Sequence, residues 1–400
     1  MLNITDKSVE DNIVPVLRLG FRPFFLLGSL YAMIAIGIWV YAFQYGQPTG
    51  LQVPALWWHV HEMYFGFAMA IVAGFLLTAV QNWTGINGVK NRRLALLIGL
   101  WLLPRLLFWT HAPLWLISSI ESLFLALVAF EVAFRVIKVK GYRNVIFLPL
   151  FLLAIVANFA SYATIKGMPP FPSIAVWQAM LWWFVLLISI MGGRVIPFFT
   201  ARRFGFEKPQ PRLWLDSAAN IPLALLFILS FFPLTHATLS PAILLFAAVV
   251  QWMRWLRWRP WRTLKEPLVW SLHFTYACLP VGLLIEALAE WQLIPNGEFV
   301  SHTMLHLMAI GGIGGLILAM IVRVTMGHTG RMIYQGPNMW FAFMAILLAA
   351  LLRGVGVSFW PQHMLLMINL AAAFWILAFG LFIVKFGFML IRPRADGHPG

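Results

Sequence analysis

FVSHTMLHLMAIGGIGGLILAMIVRV, Phe299 to Val324, is apolar along almost its whole length and carries no Asp, Glu, Lys or Arg before Arg323. A helix rises 1.5 Å per residue, so about 20 such residues cross the roughly 30 Å of hydrocarbon in a bilayer. Comparable runs occur at 22–44, 57–80, 94–111, 113–137, 144–164, 172–198, 214–232, 239–257, 268–289, 299–324, 337–358 and 362–390, with 94–111 and 214–232 the short ones. The runs are continuous rather than alternating, which excludes a membrane barrel. With 62% hydrophobic and only 10% charged residues, the chain has too little polar surface for a water-soluble protein. The expected fold is all-α: a polytopic integral membrane bundle of about 12 transmembrane helices, forming one domain over 1–400 after a lead-in at 1–21.

The charges give this bundle an orientation. A net charge of +15 does not mark nucleic-acid binding here, because the cations sit in short patches between apolar runs. If both termini are cytoplasmic, all Lys and Arg except Arg105, Lys166 and Arg353 fall on the cytoplasmic side, as the positive-inside rule requires. Trp57, Trp58, Trp115, Trp177 and Trp360 fall at expected outer helix ends, where an aromatic belt would lie. The first twenty residues mix charge signs and do not read as a cleaved signal peptide. The single cysteine, Cys278, excludes an intramolecular disulfide and CxxC chemistry.

Four of the 10 histidines share one membrane depth. His59 and His61 open the second segment, and His302 and His306 open the tenth; both segments run inward from the outer side. Neutral imidazole is the commonest metal ligand, and an iron held by two histidines takes one from each of two facing helices. His302 and His306 are four apart and share a helix face, so they could serve two metals or pinch one copper ion. His59 and His61, two apart, point to nearly opposite sides. Met63 and Met304 add soft sulfurs suited to copper(I). Glu62 could hold the outer N–H of a ligand imidazole. The alternative is four interfacial histidines solvated at helix ends. Gly66, Gly74, Gly311, Gly312, Gly314 and Gly315 below them fit either a flat porphyrin face or close helix packing.

Arg105 and Arg353 interrupt apolar segments near the outer side, where a guanidinium needs an anionic partner or must snorkel to the interface. A carboxylate-bearing cofactor would supply that partner. A second polar cluster is expected at the cytoplasmic side, comprising Arg194, Arg323, His328 and Arg331 with Asn82 and Trp83. His273 lies deepest of the histidines, either as a further metal ligand or as a packed polar core residue. His111, His236, His363 and His398 read as loop or tail residues.

The blocks Gly20–Phe25, His59–Phe67, Gly74–Ala79, Asn82–Gly85, Gly193–Thr200, His302–His306 and Arg323–Arg331 together resemble the NnrS family of bacterial membrane proteins. The resemblance implies a multi-pass protein of the bacterial inner membrane that binds haem, of b type, and copper. It also implies a role in nitric oxide response, denitrification and resistance to nitrosative stress. Nitric oxide or an iron–nitrosyl species is then the expected ligand, with haem propionates facing Arg105 and Arg353. A more distant likeness to subunit one of the haem-copper oxidases accords with histidines on the second and tenth of twelve helices. That likeness has a gap: the oxidase copper ligands stand on helices six and seven, and segments 172–198 and 214–232 contain no histidine.

The expected site therefore lies between the second and tenth helices, near the periplasmic side. Three other readings compete with a haem protein of the nitric oxide response, one of them a membrane scaffold whose histidines could be replaced by alanine without consequence. Another is an oxidoreductase acting on nitric oxide, which needs a proton route through rare acids such as Glu121, Glu131 and Glu286. The third is a cofactor-free transporter with a polar cavity near Arg194, His273 and Asn158. Electron donor and self-association stay open at this stage.

Overall fold

A computed structural model describes residues 7–165, 167 and 171–400, so Lys166 and the first six residues of the lead-in lie outside the described residues. Twelve long helices run through them. They are α1 (Phe21–Tyr45), α2 (Ala55–Thr84), α3 (Asn91–Leu107), α4 (Leu114–Lys138), α5 (Phe147–Ile165) and α6 (Ser173–Phe204). After these come α7 (Leu213–Leu229), α8 (Pro233–Arg257), α9 (Pro267–Glu290), α10 (Gly297–His328), α11 (Trp340–Phe359) and α12 (Met364–Ile391). No strand occurs among the described residues. Among them, 9 helices are long and apolar enough to cross a membrane; α3 and α7, with 17 residues each, are shorter. The fold is a polytopic helical membrane bundle.

Local signals explain where the helices begin and end. Pro54 and Pro113 precede α2 and α4, and Pro267 is the first residue of α9, where proline's missing N–H costs nothing. Glu266 caps α9 by accepting from the Leu268 N–H at 3.4 Å. Gly85, at φ +70°, closes α2 in a left-handed turn that a residue with a Cβ would strain to adopt. Outward-facing side chains such as Phe130, Leu152, Phe341 and Val384 are large and apolar, a surface suited to lipid rather than water.

The contacts divide into two compact units. The first comprises Met1–Ser173, Ile321–Pro337 and Phe379–Gly400. In it α1 lies close on α2: a Cβ at Gly74 would meet the Phe24 Cβ at 2.7 Å. The Thr78 hydroxyl joins the same two helices, accepting from Phe21 N–H at 2.8 Å and donating to Gly74 O at 2.8 Å. Arg22 is wholly buried and donates to the carbonyls of Leu390, Arg392 and Gly400, which ties the chain's last residues to the start of α1.

The second unit comprises Ile174–Met320 and Asn338–Ala378. There α9 and α10 pack antiparallel through small residues. Cβ atoms at Gly282, Gly311, Gly312 and Gly315 would meet Met308, Cys278, Leu279 and Thr275 within 2.6 Å. A Cβ at Gly314 would meet Trp375 at 2.6 Å. The two readings of these glycines are thus decided in favour of helix packing: their bare faces are filled by side chains of the same unit.

Helical hydrogen bonding widens to the i→i+5 pattern in three places among the described residues: Glu62–Ala68 of α2, Leu307–Gly314 of α10 and Leu352–Gly356 of α11. Such π-turns are rare and gather at functional sites. The first follows His61, the second follows His306, and the third contains Arg353.

Candidate functional site

The first π-turn carries the densest charge cluster of the first unit. His61, Glu62, Arg105, Glu121 and Asn158 come from α2, α3, α4 and α5, and all are buried. Arg105 Nε donates to Glu62 Oε2 at 2.9 Å and Nη2 donates to Glu62 Oε1 at 3.3 Å. Its Nη2 also bonds Glu121 Oε1, and Nη1 donates to Trp101 O at 2.8 Å. His61 stands on the other side of the two carboxylates. Its Nδ1 is 3.1 Å from Glu62 Oε1, and its Nε2 is 3.1 Å from Glu121 Oε2 and 3.2 Å from Asn158 Oδ1. The Tyr31 hydroxyl donates to Glu62, and the Tyr162 hydroxyl donates to Glu121 at 3.0 Å. Gly66 is required here, since a Cβ would sit 2.5 Å from Glu62 Oε2. Trp57 stacks on the His61 ring at 4.4 Å and Phe65 and Phe108 close the sides, so the cluster is sealed by aromatic rings.

Two carboxylates and one guanidinium leave one negative charge to be met in a medium where unpaired charge is very costly. A proton on His61 meets it, and so would a cation held by the trio His61, Glu62 and Glu121, whose ligand atoms lie within 4.8 Å of one another. One imidazole with two carboxylates is a hard to borderline donor set, better matched to zinc, manganese or iron(II) than to copper(I).

His59 takes a different direction from its neighbour, stacking on Trp39 of α1 at 4.4 Å and 10°. Trp57 and Trp58 were expected at an outer aromatic belt, but both are buried; Trp57 donates to Ser161 O at 3.0 Å, while Trp115 and Trp360 are exposed. Met63 is half-buried.

In the second unit, His302 is exposed and its Nδ1–H donates to Glu298 O at 2.7 Å. His306 is half-buried, and its Nδ1–H donates to Thr303 O at 3.2 Å. In both, the backbone carbonyl fixes the tautomer and leaves the lone pair on Nε2, the arrangement typical of a metal-ligating imidazole. Thr303 also bonds Ser358, and a Cβ at Gly354 would lie 3.2 Å from the Leu307 nitrogen, so the π-turn of α11 rests against this part of α10. Arg353 lies in that turn, with its Nη1 buried and without a hydrogen-bond partner. Met304 is packed in an apolar cluster with Cys278, Ala289, Val300, Leu307 and Ala350.

His273 is fully buried. Thr200 Oγ1 donates to Ile196 O at 2.8 Å, so His273 Nε2–H is the donor in its 2.8 Å bond to that hydroxyl. Its Nδ1 keeps a buried lone pair without a partner. At the other expected cluster, Arg323 donates to the Tyr334 hydroxyl at 3.2 Å and Arg331 donates to Thr329 O at 3.2 Å. His328 packs against Phe21 at 5.4 Å. These three belong to the first unit and half-buried Arg194 to the second. His111, His363 and His398 are exposed.

Arg254, among the cations expected on the cytoplasmic side, is buried in the second unit. It donates to Ser189 Oγ at 2.9 Å and the Tyr276 hydroxyl at 3.1 Å, and pairs with Asp216 at 3.0 Å. Gln251 completes the network by donating to Ser189 Oγ at 2.8 Å. The available signal was Gly193, whose Cβ would lie 2.0 Å from the Arg254 guanidinium.

No curated protein matches the chain. A family profile, described as NnrS protein, matches residues 15–394. That span takes in all twelve helices and every residue of the clusters above, and the chain belongs to the NnrS family, whose membership links it to the nitric oxide response.

Proposed function

We propose that this protein is a haem-binding membrane protein of the nitric oxide response, resident in the bacterial inner membrane with both termini cytoplasmic. The observation that carries the reading is in the second unit. His306, whose Nδ1–H donates to Thr303 O, sits at the start of one π-turn, and Arg353, whose buried Nη1 has no hydrogen-bond partner among the described residues, sits in another that packs against it. A buried guanidinium nitrogen without an acceptor is costly in lipid, and a haem propionate is a carboxylate of the right kind to meet it. His302 donates from Nδ1 to Glu298 O in the same way, and His59 of α2 stacks on Trp39. His61 has carboxylates at both ring nitrogens and serves the charge cluster instead.

Haem would supply an iron that binds nitric oxide or exchanges electrons with an iron–nitrosyl species. The chain's own part is to hold the iron through imidazole and to anchor the propionates. Copper would be a second cofactor. A soft ion would find sulfur in the cluster that Met304 shares with Cys278.

The test is growth under a nitric oxide donor of a bacterial strain lacking this gene, complemented with wild type or with His306→Ala expressed at equal membrane levels. Wild type is expected to restore growth and His306→Ala to fail. Equal restoration by both contradicts the reading.

A further inference from the structure

Glu286 is a buried acid that the clusters above leave unused. Glu286 and Glu290 are four apart on α9, so their side chains share a face about 5–6 Å apart. Glu290, on the last turn of α9, is half-buried and accepts from the Ser240 hydroxyl of α8. Glu286 lies one turn deeper and is only 6% exposed. Its Oε1 accepts from Ser301 Oγ of α10 at 2.6 Å, while its Oε2 is buried and has no hydrogen-bond partner among the described residues. Below it the face closes: Met308 fills the space over Gly282, and Cys278 fills the space over Gly311.

No cation neutralises Glu286 among the ion pairs of the described residues. Among the described residues, the titratable and charged groups on the elements around this end of α9 are Glu290 itself, Glu298, His302 and His306 of α10 and Arg353 of α11, while the side chain of His236 of α8 lies outside the described residues. A carboxylate in an apolar setting with one hydroxyl and one acid for company is far costlier than a neutral carboxylic acid. The bare Oε2 is where the acid's hydrogen fits. The half-buried carboxyl of Glu290 lies one turn above on the same face.

We propose that Glu286 is a proton-binding site of the second unit, loaded and emptied through Glu290 on the last turn of α9. A proton from water joins the Glu290 carboxylate, passes to the Glu286 carboxylate and returns by the same route. No other bond is made or broken. Met308 closes the inner end, so the pair is a one-ended store rather than a channel. The site does not depend on haem.

The test is infrared spectroscopy of the purified full-length protein at neutral pH, in H2O and after transfer to D2O. Wild type is expected to show a protonated-carboxyl C=O band that Glu286→Gln removes and Ser301→Ala shifts, and Glu290→Gln is expected to keep the band but slow its deuterium exchange severalfold. The Ser301→Ala and Glu290→Gln readings stand even where Glu286→Gln fails to fold. A wild-type spectrum with no such band, a band that Ser301→Ala leaves unmoved, or exchange in Glu290→Gln as fast as in wild type overturns the proposal.

Discussion

Arg105, on the last turn of α3, is buried, where a guanidinium alone would be among the costliest groups the chain could carry. Glu62 and Glu121 reach it from the two flanking helices and turn that cost into a joint between α2, α3 and α4. Removing one partner of a buried pair leaves the others uncompensated, so Arg105→Met is expected to destabilise the protein by about 3–5 kcal/mol. Thermal unfolding in detergent measures this, and Arg105→Met combined with Glu121→Gln is expected to recover part of the loss. An Arg105→Met melting temperature equal to wild type contradicts the assignment. Each member of the cluster was visible in the sequence for a separate reason: Arg105 as a cation on the wrong side, Glu62 as a partner for an imidazole, Glu121 as a rare intramembrane acid. Their union was not visible, because it joins residues from Tyr31 to Tyr162 across five helices, and spacing along the chain carries no information about that. For the same reason sequence reasoning gave Arg105 a propionate where the fold gives it two glutamates.

At the scale of helices, the seam between α9 and α10 depends on residues with no side chain. Gly315 faces Thr275, whose Cγ2 would lie 2.4 Å from a new Cβ. Thr275 is β-branched and its hydroxyl is bonded to Ser271 O at 2.7 Å, so it has little freedom to swing aside. Gly315→Ala is therefore expected to lower stability by about 1–3 kcal/mol, the usual cost of overpacking. Unfolding of the purified protein checks this, and a neutral substitution would mean that the helices separate more easily than the geometry allows. The helices themselves were legible: long uncharged runs bounded by proline, glycine and cationic patches mark them. The π-turns were not. One inserted residue shifts a helix face without leaving a compositional trace, and it is these turns that set the directions of His61, His306 and Arg353.

For the whole molecule, the outward-facing apolar side chains fix its solvent as lipid, and the uneven distribution of Lys and Arg supports the proposed orientation with both termini cytoplasmic. With Cys278→Ala as background, Gln210→Cys is expected to react only with membrane-permeant thiol reagents in intact cells, and Ala112→Cys also with impermeant ones. The reverse pattern would invert the topology. Cation placement made this reading available from sequence alone, because it reports on a one-dimensional alternation between two sides of a membrane. The division into two compact units has no such linear signature, since each unit gathers segments far apart in the chain.

The central claim, that the chain holds haem through its histidines, is tested most directly by the visible spectrum and iron content of the detergent-purified protein. Wild type is to be compared with His59→Ala, His61→Ala, His302→Ala, His306→Ala and Arg353→Met. The account predicts a Soret band and iron in wild type, loss of both in His306→Ala, and weakened haem retention in Arg353→Met. It also predicts that His61→Ala acts through stability rather than through the spectrum of the folded fraction. A well-folded wild type that is colourless, iron-free and takes up no added haem contradicts it.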